Sequence, residues 1–72
     1  MTYEEALRRV EEGERFEDHT TLKLTNKNGW TVAHYQAHKG WTTEDLEILR
    51  LVDKYGRTVA HYQLENGWRV TF

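Results

Sequence analysis

His19, His34, His38 and His61 are the only side chains of the sequence whose ordinary titration falls near neutrality, so they are the first candidates for chemistry. His34 and His38 stand four apart, a spacing that on a helix can bring two imidazoles to one metal ion. A metal would need a third ligand and usually a fourth, and the chain has no cysteine to supply a thiolate. Twenty-seven residues beyond His34 stands His61, but 27 beyond His38 stands Glu65, so the pair is not kept where its surroundings recur. No metal and no cofactor are expected. Acid–base or nucleophilic chemistry finds no better footing. Thr31 and Thr58 recur near histidines, but a threonine that caps a helix has its hydroxyl engaged. Glu11-Glu12 and Glu44-Asp45 are sequence neighbours, which do not face one another on a helix and read as solvated acids. Gly29, Gly40, Gly56 and Gly67 each stand singly, so no glycine-rich phosphate loop is present. The chain is expected not to be an enzyme.

The elements that would position these residues can be read from local patterns. Thr2 followed by Glu5 is a capping box, and Tyr3, Ala6, Leu7 and Val10 fall on one helical face. Glu4–Arg8 and Glu5–Arg9 are favourable pairs one turn apart, and Gly13 supplies a stop. An amphipathic helix is expected over residues 3–12.

Most of the remaining chain repeats itself at an offset of 27. Thr31-Val32-Ala33-His34-Tyr35-Gln36 matches Thr58-Val59-Ala60-His61-Tyr62-Gln63 without a difference; Leu22-Lys23-Leu24 falls on Leu49-Arg50-Leu51, and Gly40-Trp41 on Gly67-Trp68. Such a period points to stacked supersecondary units. Within each unit, Leu-x-Leu alternates as an extended segment would. Asn26-Lys27-Asn28-Gly29 and Asp53-Lys54-Tyr55-Gly56 then form turns that open on an Asx side chain and close on a glycine of positive φ. Thr31 and Thr58 cap helices over 31–39 and 58–66, which Gly40 and Gly67 end. A β-meander is the rival local reading, because Asn28-Gly29, Lys39-Gly40 and Asn66-Gly67 could be hairpin turns. Thr42 to Ile48 suggests a threonine-capped helix of one to two turns. Val70-x-Phe72 reads as a truncated third Leu-x-Leu.

The 72 residues make one domain, divided as an N-terminal helix and linker (1–20), a first repeat (21–47) and a truncated second repeat (48–72). The expected fold is mainly α with short extended segments, with an α+β fold carrying a small sheet as the alternative. Hydrophobic residues make up 38% of the chain and charged residues 31%, which suits a water-soluble folded domain. No apolar run is long enough for a membrane span or a secretory leader, and a cytoplasmic location is expected. Residues 1–20 hold seven acids and three arginines; residues 21–72 hold seven bases and five acids. Neither balance resembles the clustered basic face of a nucleic-acid binder.

Gly29-x-Thr31-x-x-His34-x-x-Ala37-x-x-Gly40, preceded by an Asx turn, resembles an ankyrin repeat, and Asp53 to His61 with Glu65-Asn66-Gly67 resembles one more closely. The unit is shorter than that family's, Val32 and Val59 stand where it has proline, Ala33 and Ala60 where it has leucine, and Gln36 and Gln63 where it has a small alanine. The resemblance implies that Gly29, Thr31, His34, Gly40, Gly56, Thr58, His61 and Gly67 are structural, with the histidines bonding to neighbouring turns. It also implies that the turn tips and first helices form a binding face. Carried onto this sequence, the partner-binding candidates are Lys27, Asn28, Trp30, Lys54, Tyr55 and Arg57. Trp30 and Arg57 are repeat mates that differ, so the unit's own packing demands neither; Trp, Tyr and Arg are also the residues that dominate interface energy. A non-catalytic protein–protein interaction module, of the inhibitor or adaptor kind, is expected. The alternatives are a nucleic-acid or small-ligand binding domain and a purely structural repeat. The partner would be another protein, with no membrane, and the chain a monomer; the rival is a homodimer paired through Trp68–Phe72.

Overall fold

Each helix among the described residues begins at a side-chain oxygen that receives one of its free N–H groups. The computed structural model describes residues 1–65, with α1 at Tyr3–Glu11, α2 at His19–Leu22, α3 at Val32–His38, α4 at Leu46–Leu49 and α5 at Val59–Glu65. The caps are Thr2, Asp18, Thr31, Asp45 and Thr58, whose oxygens accept from the N–H of Glu5 (3.2 Å), Thr21 (2.9 Å), His34 (3.1 Å), Glu47 (3.0 Å) and His61 (3.1 Å). An N-cap of this kind stabilises its helix by about 1 kcal/mol. The expected helices over 3–12 and 31–39 are present within a residue or two. So is 58–66 as far as residue 65; Gly67 and Val70-x-Phe72 lie outside the described residues.

The helices stack in chain order. α3 packs against α1 on one side and α5 on the other, while α2 packs on α3 and α4 on α5. Buried Ala6, Val10, Val32, Ala33, Ala37, Val59 and Tyr62 fill the space between the long helices, and Leu22 and Ile48 plug it from the short ones. The alanines at the contact permit close approach.

The structure is mainly helical, and among the described residues no strand forms. The small-sheet and meander alternatives reduce to two isolated bridges, Thr25 with Thr31 and Val52 with Thr58. The Leu-x-Leu segments are not extended. Leu22 and Leu49 close α2 and α4, and Leu24 and Leu51 follow in the exit turns. Two leucines two apart suit the last turn of a short helix as well as a strand, and the aspartate caps upstream decide between them. The expected cap of the second short helix is likewise corrected. Thr43 Oγ1 accepts from Asp45 N at 3.1 Å, and it is Asp45 that caps α4, a single turn.

The 27-residue frame extends further towards the N-terminus than the repeated letters do. α1 occupies the place of α3: Ala6 and Ala33 are both buried, and Gly13 and Gly40 leave their helices at φ 103° and 98°. The short helices correspond in the same way, from Asp18 and Asp45 to Leu22 and Leu49. Gln36 and Gln63 tie the units together. Gln36 Oε1 accepts from Phe16 N at 2.8 Å and its Nε2 donates to Phe16 O at 3.2 Å; Gln63 does the same with Thr43 at 2.8 and 3.4 Å. Phe16 and Thr43 are themselves 27 apart. Each glutamine is fully buried and occupied by the linker that precedes its unit's short helix.

Candidate binding groove at the turn tips

The turns that precede α3 and α5 are built by one device used twice. Asn26 Oδ1 accepts from Asn28 N (2.9 Å) and Trp30 N (3.1 Å), and Asp53 Oδ1 accepts from Tyr55 N (2.9 Å) and Arg57 N (3.0 Å). Gly29 and Gly56 close the turns at φ 75° and 79°, as the Asx-x-x-Gly pattern requires. Gly29 carries a second constraint: a Cβ there would lie 3.1 Å from Lys54 N. That close approach lets Lys54 N donate to Asn28 O at 3.0 Å, which clasps the two tips together.

His34 makes the second clasp. Its Nδ1 accepts from Thr31 N (3.2 Å) and lies 2.7 Å from Thr31 Oγ1, while Nε2 lies 3.0 Å from the Arg57 carbonyl. A carbonyl only accepts, so Nε2 carries the proton and Nδ1 receives the two donors. Burial pushes the imidazole's pKa down and keeps it in this neutral form, although the Arg57 carbonyl and Asp53 pull the other way. His34 and His38 therefore do not converge on a metal position. His38 is exposed and meets Trp30 edge-on, with ring centres 6.3 Å apart. Among the described residues no group of histidine and acidic side chains is placed to hold a metal ion.

Clasped in this way, the tips enclose a groove of about 370 Å³. Asn28, Trp30, Tyr55 and Arg57, four of the six partner-binding candidates, line it together with Asn26, His38, Asp53 and Tyr62. Lys27 and Lys54 do not line it; both are exposed on the tips themselves. Trp30 stands edge-on to Tyr35 (5.5 Å) and Tyr62 (6.1 Å). Opposite, the Arg57 guanidinium lies over the rings of Tyr55 (5.2 Å) and Tyr62 (5.3 Å), and Lys54 Nζ lies 5.3 Å from the Tyr55 ring. Tyr55 itself is 67% exposed.

Asp53 holds this wall. Its buried carboxylate accepts from Arg57 Nε (3.2 Å) and Tyr62 Oη (3.3 Å) as well as from the turn N–H groups. Burial alone would raise its pKa. The N–H donors of Arg57 and Tyr55 and the guanidinium charge outweigh that effect and hold the carboxyl below its ordinary value. Asn26, His38, Asp53 and Tyr62 were not among the expected partner-binding residues. Asn26 and Asp53 carried a signal only as turn openers, and Tyr62 lies inside the repeated hexapeptide and reads as core.

The edge formed by the short helices has a different character. His19 on α2 is clamped by α4, with Nε2 2.5 Å from Asp45 Oδ2 and Nδ1 2.6 Å from Glu47 Oε2; Lys23 Nζ reaches the same Glu47 oxygen at 2.7 Å. The hydrogen bond to Asp45, then the nearby carboxylate charges, raise the His19 pKa, and the partners hold both acids low. A second hollow, of about 460 Å³, is lined by Glu17, Trp41, Thr42, Thr43, Glu44, Asp45 and Ile48. No helix among the described residues is long and apolar enough to cross a membrane. The chain matches no protein-family model, no curated protein and no solved structure.

Proposed function

We propose that this chain is a non-catalytic protein–protein interaction module, of the adaptor or inhibitor kind, that receives its partner in the groove between the two turn tips. The observation that carries the reading is where the two copies disagree. Asn28 against Tyr55 and Trp30 against Arg57 are repeat mates that differ, and all four line one groove. From Lys27 to Gln36 and from Lys54 to Gln63 the copies differ at these two positions alone. The residue types agree, since Trp, Tyr and Arg supply large, stiff contact area. An ankyrin-like array, shortened to units of 27 residues, is the architecture that best accounts for the recurring caps and turns and for the His34 clasp, and it presents turn tips as its recognition edge. The reading also takes the protein as cytoplasmic and monomeric; the rival homodimer segment, Trp68–Phe72, lies outside the described residues.

The pairing that most resembles a nucleophile and base, Thr31 Oγ1 with His34 Nδ1, supports binding rather than catalysis. Both residues are buried, and the Thr31 oxygen is already occupied by the His34 N–H. A substrate would have to displace the cap of α3 to reach it.

The test is selection from a displayed library of random twelve-residue peptides, with wild-type protein as bait. Selected peptides are expected to lose at least tenfold in affinity for Tyr55→Ala and none for Arg50→Ala, an exposed site outside the groove. Peptides indifferent to Tyr55→Ala would overturn the assignment.

A further inference from the structure

The charges around the groove say more about what it takes. Elsewhere several cations are compensated inside the molecule: Lys23 by Glu47, Lys39 by Glu11 at 3.1 Å, Arg9 by Glu14 at 3.9 Å and His19 by two carboxylates. Among the described residues Arg8, Arg15, Arg50, Lys27 and Lys54 pair with no carboxylate, and of these the two lysines are the ones that stand on the turn tips beside the groove. They are repeat mates, one on each tip, and both are exposed. The groove does contain one acid, but Asp53 is committed. It is buried, it accepts from two backbone N–H groups, from Tyr62 and from Arg57, and its charge cancels that of Arg57. What remains is an aromatic floor of Trp30 and Tyr55 beside two lysines without a carboxylate, Lys54 lying against the Tyr55 ring.

Deepening the interaction-module reading, on which this rests, we infer that the partner is an acidic protein segment. It lies in extended form across the tips, with an apolar or aromatic side chain on the floor and carboxylates on Lys27 and Lys54. Adjacent units in a helical stack are about 10 Å apart, and an extended chain advances about 3.3 Å per residue. Side chains two or four residues apart share a face of such a chain, so acids four apart span about 13 Å and reach both lysines. Complementary rim charge of this kind acts mainly on association rate and partner choice, and it weakens with salt. Nucleic acid fits less well. Two lysines release few counterions, and the chain as a whole carries a net charge of −2.

The experiment uses the same random twelve-residue library and adds a Lys27→Glu, Lys54→Glu double variant, with (dT)20 as a competing probe. Circular dichroism confirms that the variant is folded. Selected peptides should be rich in Asp and Glu, with acids four apart and an apolar residue midway between them. They should bind the double variant at least tenfold more weakly and lose affinity between 50 and 500 mM salt, on the order of the screening expected of exposed charges. Neutral or basic peptides that still need Tyr55 would overturn the acidic partner and leave the groove intact. Peptides independent of Tyr55, or none at all, would overturn both. Binding of (dT)20 as tight as that of the best peptide, and lost in the double variant, would overturn the inference in favour of single-stranded nucleic acid.

Discussion

Thr31–Gln36 and Thr58–Gln63 are the same six residues, and they lead different lives. The two threonines cap their helices with the same 3.1 Å bond, and the two glutamines hold the preceding linkers in the same way. The histidines part company. His34 is fully buried and spans the cap of its own helix and the turn of the next unit. The His61 side chain is 48% exposed and its Nε2 lies 3.2 Å from Glu65. The tyrosines also diverge: Tyr35 is half-buried against Trp30, while Tyr62 is buried under Arg57 and bonded to Asp53. Identity of sequence preserves the threonine cap and the bonds towards the linker before each unit, but not the bond of the histidine ring back to its own cap. Bonds made towards the unit that follows depend on that unit's turn.

The largest expected effect breaks this comparison at the histidines. His34→Ala leaves the Thr31 N–H and the Arg57 carbonyl without their partner and opens a cavity, and should cost about 2–4 kcal/mol. His61→Ala should cost less than about 0.5 kcal/mol. Urea denaturation of the two variants measures both, and equal losses would mean that the clasp is misassigned.

The turn glycines should separate next. Gly29→Ala meets both a positive φ and the Lys54 backbone 3.1 Å away, and is expected to cost about 2 kcal/mol or more. Gly56→Ala meets the φ alone, with nothing within 4 Å of its Cβ, and should cost about 1 kcal/mol. Gly56→Val should cost more than about 1 kcal/mol, because a β-branched residue tolerates this region poorly. Thermal melts that rank Gly56→Ala as the worse of the two alanine variants would contradict the clasp between Asn28 and Lys54.

The smallest effect contrasts two histidines of opposite sign. The His19 pKa is raised in the folded chain, so its stabilising contribution is complete below the ordinary imidazole value of about 6.5 and is lost as pH rises through the folded value above it. The His34 pKa is lowered, so its contribution is present above about 6.5 and is lost as pH falls through the folded value below it. Imidazole proton shifts followed by NMR should show His19 titrating above, and His34 below, a histidine in a short peptide. In the His19→Gln variant the loss of stability as pH rises above about 6.5 should shrink.

The parts of this fold that could be read from sequence are those whose bonds close within a few residues. Thr2, Thr31 and Thr58 reach three positions ahead, Asn26 and Asp53 reach two and four, and Gly29 and Gly56 end turns that those same side chains begin. α2 escaped notice because Arg15–Thr21 shares only Glu17 and Asp18 with its counterpart Thr42–Ile48. Gln36 and Gln63 looked like disturbances to helix spacing because their partners stand 20 residues upstream, where no local pattern points. The groove was half legible. The disagreement between Trp30 and Arg57 marked the place, whereas Asp53 and Tyr62 join Trp30 only because the second tip folds back onto the first.

The most direct test of the binding account is an NMR titration of the 15N-labelled protein with a peptide selected on the wild-type bait. The account predicts shifts in the amides of Asn28, Trp30, Tyr55 and Arg57 and in the Trp30 indole N–H, with the amides of Arg8 on α1 and of His19 and Glu47 on the short-helix edge unmoved. Shifts concentrated on α1 or along the His19–Glu47 edge, with the Trp30 indole unchanged, would contradict it.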